Sequence, residues 1–255
     1  AVGFASGLSL SGFKPIVCIQ STFLQRAFDQ LIHDAAFMNL PIVFLCTRSG
    51  FSGYDSPTHH GIYDIPYLRS IPNLEIFYPI NVAATEKIIK NSFQQKKNPK
   101  IILQPYEQVE KKVTQIFFSR NKDFLSDINL IGNRNSRISL ICLPNQLNTC
   151  LKILETNKKK MNLLIVQKIK PFPEEIFNKF LKNSKKIISI EEGTIHGGLG
   201  SVIAEFILDN KLNKNLLRIG VNDVFIEAGD KYECSKEAGI SYDQTLKKIN
   251  KFIKK

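Results

Sequence analysis

Short runs of β-branched and other apolar residues alternate along the chain with longer segments in which apolar positions recur every three to four residues. A strand that feeds a helix and then another strand is the grammar of a parallel sheet with crossover helices. In the first part, residues 14–19, 41–46, 74–78 and 100–104 are apolar runs of strand length. Between them, 22–38 sets Phe23, Ala27, Leu31, Asp34 and Met38 at helical spacing, and 82–93 gives a second helical period. Residues 1–106 are therefore predicted as one doubly wound α/β domain. From 107 to 137 the periodicity fades and Lys, Asn and Ser accumulate, which suits a linker better than a core. Strands at 138–143, 163–167, 187–190 and 216–221 then alternate with helices near 145–157, 173–183, 198–210 and 241–253. This predicts a second α/β domain over 138–255, and no solenoid repeat competes with that reading.

Composition narrows the picture. At 43% hydrophobic residues the 255-residue chain can bury a sizeable core. No apolar run approaches the roughly 18 residues that a membrane span requires, which argues against a membrane protein. The formal charge of +12 invites a nucleic-acid reading, but residues 1–75 carry four Lys or Arg against five acids. The excess lies downstream and is almost all lysine, in runs such as 158–160 that read as solvated helix faces, and no nucleic-acid module accompanies it. Five cysteines without C-x-x-C spacing, two of them in apolar strand-like runs, point to a reducing compartment. The chain opens on Ala1-Val2-Gly3 without an initiator Met or a charged leader, so no targeting signal is read and the true N-terminus is expected upstream.

The chemistry concentrates in the long loop 47–66, which starts at the carboxyl end of the second predicted strand, where open α/β sheets bind ligands. Arg48 offers a planar fork for phosphate or carboxylate. Gly50 and Gly53 allow close backbone approach. Asp55 and His59 add an acid and an imidazole. Singly, Arg48 could be a surface ion pair and Asp55 a turn residue. Adjacent histidines such as His59 and His60 rarely face one ion, and no third ligand stands at metal spacing, so no metal site is assigned. His33 reads as a core histidine. The string 197–200 fails G-x-G-x-x-G at Ile203 and reads as a helix start packed closely on its strand, while Glu191-Glu192 reads as a strand end rather than an acid and base.

Taken together, several strings are more specific than their members: STFLQRAFDQLIHD at 21–34, NLPIVFL at 39–45, R-x-G-x-x-G-x-D-x-PTHHG-x-x-D-x-x-YLR from Arg48 to Arg69, and IPN at 71–73. Lys170-Pro171, EEGTIHGGLGS at 191–201 and IGVND-x-FIEAG at 219–229 continue the series. The chain thereby resembles the 1-deoxy-D-xylulose-5-phosphate synthase family of the transketolase superfamily over nearly its whole length. The resemblance implies a pyrimidine-binding domain followed by a transketolase C-terminal domain, with thiamine diphosphate and Mg2+ as cofactors. It implies pyruvate and glyceraldehyde 3-phosphate as substrates, joined with loss of CO2 to 1-deoxy-D-xylulose 5-phosphate on the routes to isoprenoids, thiamine and pyridoxal. A homodimer in the bacterial cytoplasm, or in a plastid-type organelle, is expected, with no nucleic acid or membrane as partner.

Carried over by position, Phe23 matches the aromatic that stacks on the aminopyrimidine and Arg26 the arginine one helical turn on. Arg48 matches an arginine for the substrate phosphate, and Asp55 and His59 the pair that holds the acceptor and assists proton movement. The independent chemistry agrees: an aromatic face for a flat heterocycle, a fork for phosphate, and an imidazole for proton transfer. The resemblance also places the activating glutamate, the diphosphate loop and the magnesium ligands outside this chain, which alone is expected to be inactive. Gln20, Thr47 and Ser56 stand where the family has tyrosine, aspartate and glycine. In place of the family's RYPRG string stands 103–107, so that Tyr106 and Leu103 occupy arginine positions. A β-type subunit of a 2-oxo acid dehydrogenase, and a degenerate paralogue that only packs against a partner, remain the alternatives.

Overall fold

The computed structural model describes residues 1–95, 97–106, 126–157 and 159–254. Its first sheet contains β1 (Ile16–Gln20), β2 (Val43–Ser49), β3 (Glu75–Phe77) and β4 (Lys100–Pro105), parallel and ordered β1-β2-β4-β3. Its second contains β5 (Ile128–Ile131), β6 (Ile138–Cys142), β7 (Asn162–Val166), β9 (Lys186–Thr194) and β10 (Asn215–Val221), ordered β10-β9-β6-β7-β5. The two α/β units expected from the pattern are present, but neither sheet is purely parallel. The edge strand β5 runs antiparallel to β7. The short β8 (Lys168–Lys170), from the second half of the chain, runs antiparallel on β3 and completes the first sheet.

Both differences have a physical origin. β5 falls within the stretch read from sequence as connection, because a four-residue edge strand flanked by polar residues carries too short a period to stand out. Most of that stretch, 107–125, lies outside the described residues. β8 reads Lys-Ile-Lys and buries only Ile169, so its pattern is that of a solvated edge.

The helices are α1 (Val2–Leu10), an irregular stretch α2 over residues 21–37, α3 (Asp64–Arg69), α4 (Val82–Gln94), α5 (Leu147–Thr156), α6 (Glu174–Leu181), α7 (Leu199–Asp209), α8 (Lys231–Glu237) and α9 (Tyr242–Lys254). α2 passes from an α-turn through a 3-10 turn, Gln25–Ala27, into a π-helical segment, Leu31–Phe37. The wider π-turn shifts the buried stripe to Leu31, Ala35 and Ala36. His33 corrects the expectation: two residues from Leu31 it lies on the opposite side of the helix, exposed and paired with Asp29 at 2.9 Å rather than buried in the core. α4 and α8 begin on side-chain caps, from Asn81 to the Ala84 N–H and from Asp230 to the Glu233 N–H.

Strand alternation ties the two units together. Along β6 and β7, Ile141, Leu164 and Val166 join a core that also contains Leu31, Phe44, Ile76 and Ile101 from the first unit. The intervening Leu140, Leu163 and Ile165 face a second core with Ile188, Ile219 and Ile249. The 3.6-residue face of α6 and α7 adds Phe177 and Phe206 to the first core, their rings 5.2 Å apart. Among the described residues no helix is long and apolar enough to cross a membrane.

Candidate functional site

Three neighbouring strands deliver the expected side chains to one end of the first sheet. β1 ends at Gln20 and the chain turns at once into α2, which carries Phe23 and Arg26. β2 ends with Arg48 and Ser49, and Tyr106 directly follows β4. Because the order is β1-β2-β4, these carboxyl ends lie side by side.

The loop between β2 and α3 is closed on itself. Gly50 and Gly61 exchange backbone hydrogen bonds of 3.1 and 2.7 Å, which makes residues 51–60 a closed excursion. Arg48 takes a left-handed backbone conformation, φ 60°, and Gly50 follows at φ 88°, so the chain reverses sharply at the strand end. Ser21 Oγ donates to the Arg48 carbonyl at 3.3 Å and Tyr78 Oη to the Ser49 carbonyl at 3.2 Å, which hold the reversal in place. Gly61 has no room for a side chain. A Cβ there would lie 2.5 Å from Ser21 Oγ and 2.8 Å from the Arg48 carbonyl oxygen.

Inside the excursion, Pro57 opens a 3-10 turn, Pro57–His59, with Ser56 extended ahead of it. Ser56 Oγ lies 2.7 Å from His59 Nδ1, leaving Nε2 for other partners. The His59 ring meets Phe23 edge to face at 5.5 Å, so α2 and the loop touch through these two rings. Phe23 remains 51% exposed. Arg48 Nη1 forms an ion pair with Asp55, and its guanidinium lies 5.2 Å from the Tyr106 ring centroid. Phe23 with His59, and Arg48 with Asp55 and Tyr106, are thus brought together. Arg26 stands exposed on α2 and forms no ion pair among the described residues.

His60 behaves differently from its neighbour. It is buried, its Nδ1 accepts from the Ser52 N–H at 3.0 Å, and its Nε2 lies 3.2 Å from the Glu227 carbonyl. A ring that accepts at Nδ1 and faces a carbonyl at Nε2 is the neutral Nε2–H tautomer. His60 is a fastener between the loop and the second unit. Among the described residues no three His, Cys, Asp or Glu side chains gather to hold a metal ion.

Two acids near the loop carry more structure than the sequence suggested. Asp64, in the first turn of α3, is 1% exposed. The hydroxyls of Ser49 and Ser21 lie close enough to favour its charge slightly, yet neither makes a well-formed hydrogen bond to either carboxylate oxygen. Burial prevails and pushes its pKa up to about 7. Glu192, near the end of β9, accepts from the Phe51 N–H at 2.8 Å with Oε1. Burial raises its pKa too, opposed chiefly by the Lys231 ammonium. The neighbouring Glu191 caps α7, accepting the Leu199 and Gly200 N–H groups at 2.7 and 2.8 Å, so the glycine-rich string is a helix start pressed on its strand. Asp64 falls in the stretch 47–66 that reads in sequence as a loop, so neither its helix nor its burial was expected. A pocket of about 210 Å³ opens beside the loop, lined by Phe51, Gly53, Tyr54, Tyr106, Glu192, Asp230 and Lys231.

Against known proteins, residues 1–111 match the family described as transketolase, pyrimidine binding domain, and residues 129–244 that described as transketolase, C-terminal domain. The chain therefore belongs to the transketolase family through both of its domains. Within it, the 1-deoxy-D-xylulose-5-phosphate synthase of Blochmanniella pennsylvanica is 34% identical over 255 residues, 99% of this chain and 40% of that protein. The synthase of the same name from Buchnera aphidicola subsp. Schizaphis graminum is 34% identical over 249 residues, 98% of this chain and 42% of that protein. The chain thus spans about two fifths of the length of these relatives. Among solved structures it is similar in fold to a split gene transketolase described as an inactive β4 tetramer, with a TM-score of 0.82 at 21% identity, covering 99% of this chain and 80% of that one. It is also similar to the transketolase of Campylobacter jejuni subsp. jejuni, with a TM-score of 0.75 at 16% identity, covering 98% and 38%.

Proposed function

We propose that this chain supplies the pyrimidine-binding and acceptor-binding part of an enzyme that condenses pyruvate with glyceraldehyde 3-phosphate to 1-deoxy-D-xylulose 5-phosphate and CO2. The observation that carries the reading is the convergence of Phe23, Arg48, Asp55 and His59 at the carboxyl ends of adjacent strands. The named synthases among the relatives support it.

The residues present fit one end of thiamine diphosphate. The half-exposed Phe23 ring, set edge-on to His59, offers a flat apolar face for the aminopyrimidine, with Arg26 a turn away. The diphosphate and its Mg2+ would be held by residues outside this chain. When bound, the cofactor supplies the ring that stabilises the carbanion equivalent left by loss of CO2. Arg48 then binds the acceptor phosphate, and Asp55 orients the acceptor hydroxyl. His59, its Nδ1 engaged by Ser56, presents Nε2 to donate a proton to the acceptor carbonyl oxygen.

On this reading the diphosphate is held by a further domain, in the same polypeptide or in a second chain. The exposed Phe4, Leu10, Phe13 and Phe37 on and around α1 and α2 supply an apolar face for that domain or for a homodimer partner. We place the assembly in the bacterial cytoplasm. To test this, the chain is combined with the diphosphate-binding domain of a related synthase, thiamine diphosphate and Mg2+, and product is measured from both substrates. Deoxyxylulose phosphate and CO2 are expected from the assembly and not from the chain alone. An assembly that binds the cofactor yet forms no product would remove the reading in favour of a packing subunit.

A further inference from the structure

The closed loop that carries Asp55 and His59 is fastened from the second domain as well as from its own sheet. Glu192 provides one of the buried fasteners. It is 5% exposed, and its two carboxylate oxygens take different partners. Oε1 accepts from the Phe51 N–H at 2.8 Å, directly after the left-handed Gly50. Oε2 takes the Gln146 amide at 3.1 Å and lies 3.3 Å from Lys231 Nζ, which also donates to the Asn145 carbonyl at 3.1 Å. Gly50 packs so closely that a Cβ there would stand 2.8 Å from Glu192 Oε1. Weaker fasteners agree in direction: His60 to the Glu227 carbonyl at 3.2 Å, Tyr54 Oη to Glu233 at 3.1 Å, and the Thr194 N–H to the Ile62 carbonyl at 2.9 Å.

From this geometry we infer that Glu192, braced by Lys231, is a positioning residue that sets the acceptor-side loop, so that the C-terminal domain takes part in acceptor recognition and does more than buttress the fold. The physical case rests on desolvation. A buried backbone N–H bonded to a charged acceptor is held tightly, whereas an exposed surface contact exchanges freely with water. Phe51 is therefore the fixed point from which residues 52–60 are hung. Glu192 is bonded to Phe51 and packed on Gly50 rather than on Arg48, Asp55 or His59, so its influence on those residues passes through the loop backbone.

The kinetic side of this inference rests on the acceptor-binding role proposed above, while the clamp itself can be tested on the chain alone. Hydrogen exchange at the Phe51 amide is measured in the wild type, Glu192→Gln, Glu192→Ala and Lys231→Met, with Ile188 in β9 as an internal reference. Loss of a charge-assisted bond of this kind should speed Phe51 exchange at least about tenfold in Glu192→Ala, much less in Glu192→Gln, and leave Ile188 unchanged. If Glu192→Ala fails to fold, Lys231→Met carries the test, with a smaller acceleration confined to the same amide. In the assembled enzyme, Glu192→Ala should raise KM for the acceptor aldehyde about tenfold, with acceptor-independent pyruvate decarboxylation and cofactor affinity within twofold of wild type and Glu192→Gln largely rescued. Unaltered Phe51 exchange overturns the clamp whatever the enzyme does. Altered exchange with an unchanged acceptor KM overturns the positioning role. A wild-type assembly without product refutes the functional reading instead, and the exchange result still decides the clamp.

Discussion

Asp64 makes stability depend on pH in a direction opposite to that of a paired carboxylate. Burial lifts its pKa from 3.8 to about 7, so the folded chain holds a proton that the unfolded chain has already released. Where the native state binds more protons, stability falls as pH rises. The contribution is therefore fully present below about pH 4, declines through the window from about 4 to about 7, and is flat above it. A shift of about three units corresponds to about 4 kcal/mol in total, of which more than half is lost between pH 5 and pH 8. Asp64→Asn keeps the shape and removes the titration. The variant should be more stable than wild type at pH 8 and should lose that share of the pH slope. Urea midpoints at pH 5, 6, 7 and 8, followed by far-UV circular dichroism, would measure it. Glu191 shifts in the same direction, also to about 7, so some slope should persist in Asp64→Asn and diminish further with Glu191→Gln. Parallel pH profiles for wild type and Asp64→Asn would refute the reasoning, because they would mean that Asp64 is ionised in the folded state at neutral pH.

Three further outcomes follow from the site. Gly61→Ala should cost about 1–3 kcal/mol in a urea titration, since its Cβ would crowd the Arg48 carbonyl oxygen and Ser21 Oγ with little room to yield. In the assembled enzyme, Phe23→Ala should weaken thiamine diphosphate binding by about 1–3 kcal/mol in calorimetric titration while altering acceptor affinity less, and equal cofactor affinities would remove Phe23 from the site. Tyr106→Arg should lower KM for glyceraldehyde 3-phosphate by about one order of magnitude, and Arg48→Ala should raise it, with the unphosphorylated aldehyde almost unchanged in both. Equal shifts for the two aldehydes in steady-state kinetics would overturn the phosphate assignment.

The parallel strands of both domains were legible because buried strands announce themselves as uninterrupted apolar runs, as in Ile101 to Leu103 or Leu163 to Val166. β5 and β8 were not, since short edge strands carry polar residues on their open sides. α1 escaped for a related reason: its Gly3, Gly7 and small residues give little periodic contrast. At the site, the loop and the contacts of Phe23, Arg48, Asp55, His59 and Tyr106 follow from their places at adjacent strand ends. The work of Glu192 and His60 lay beyond the sequence, because each binds a backbone group more than a hundred residues away, and backbone partners leave no trace in side-chain pattern. Ser56 is a middle case. Its departure from the family's glycine was visible, and the bond to His59 gives that departure a consequence.

The two ion pairs beside the loop differ in what an acceptor could do to them. Arg48 and Asp55 hold each other at a partly exposed surface, with side chains 38% and 41% accessible. Such a pair is worth about 0–1 kcal/mol, so its exchange for a phosphate and a hydroxyl costs little. On the proposed reading, the acceptor satisfies both residues at once: its phosphate replaces Asp55 on the guanidinium, and its hydroxyl replaces Arg48 on the carboxylate. Tyr106, stacked on Arg48, keeps the guanidinium plane in place during that exchange without competing for its N–H donors. Glu192 does not exchange in this way, because its carboxylate is 3% accessible and is also bonded to the Phe51 N–H and the Gln146 amide, while its partner Lys231 is 30% accessible. The loop is therefore anchored where it is buried and exchangeable where it meets solvent, which is the division that acceptor binding requires.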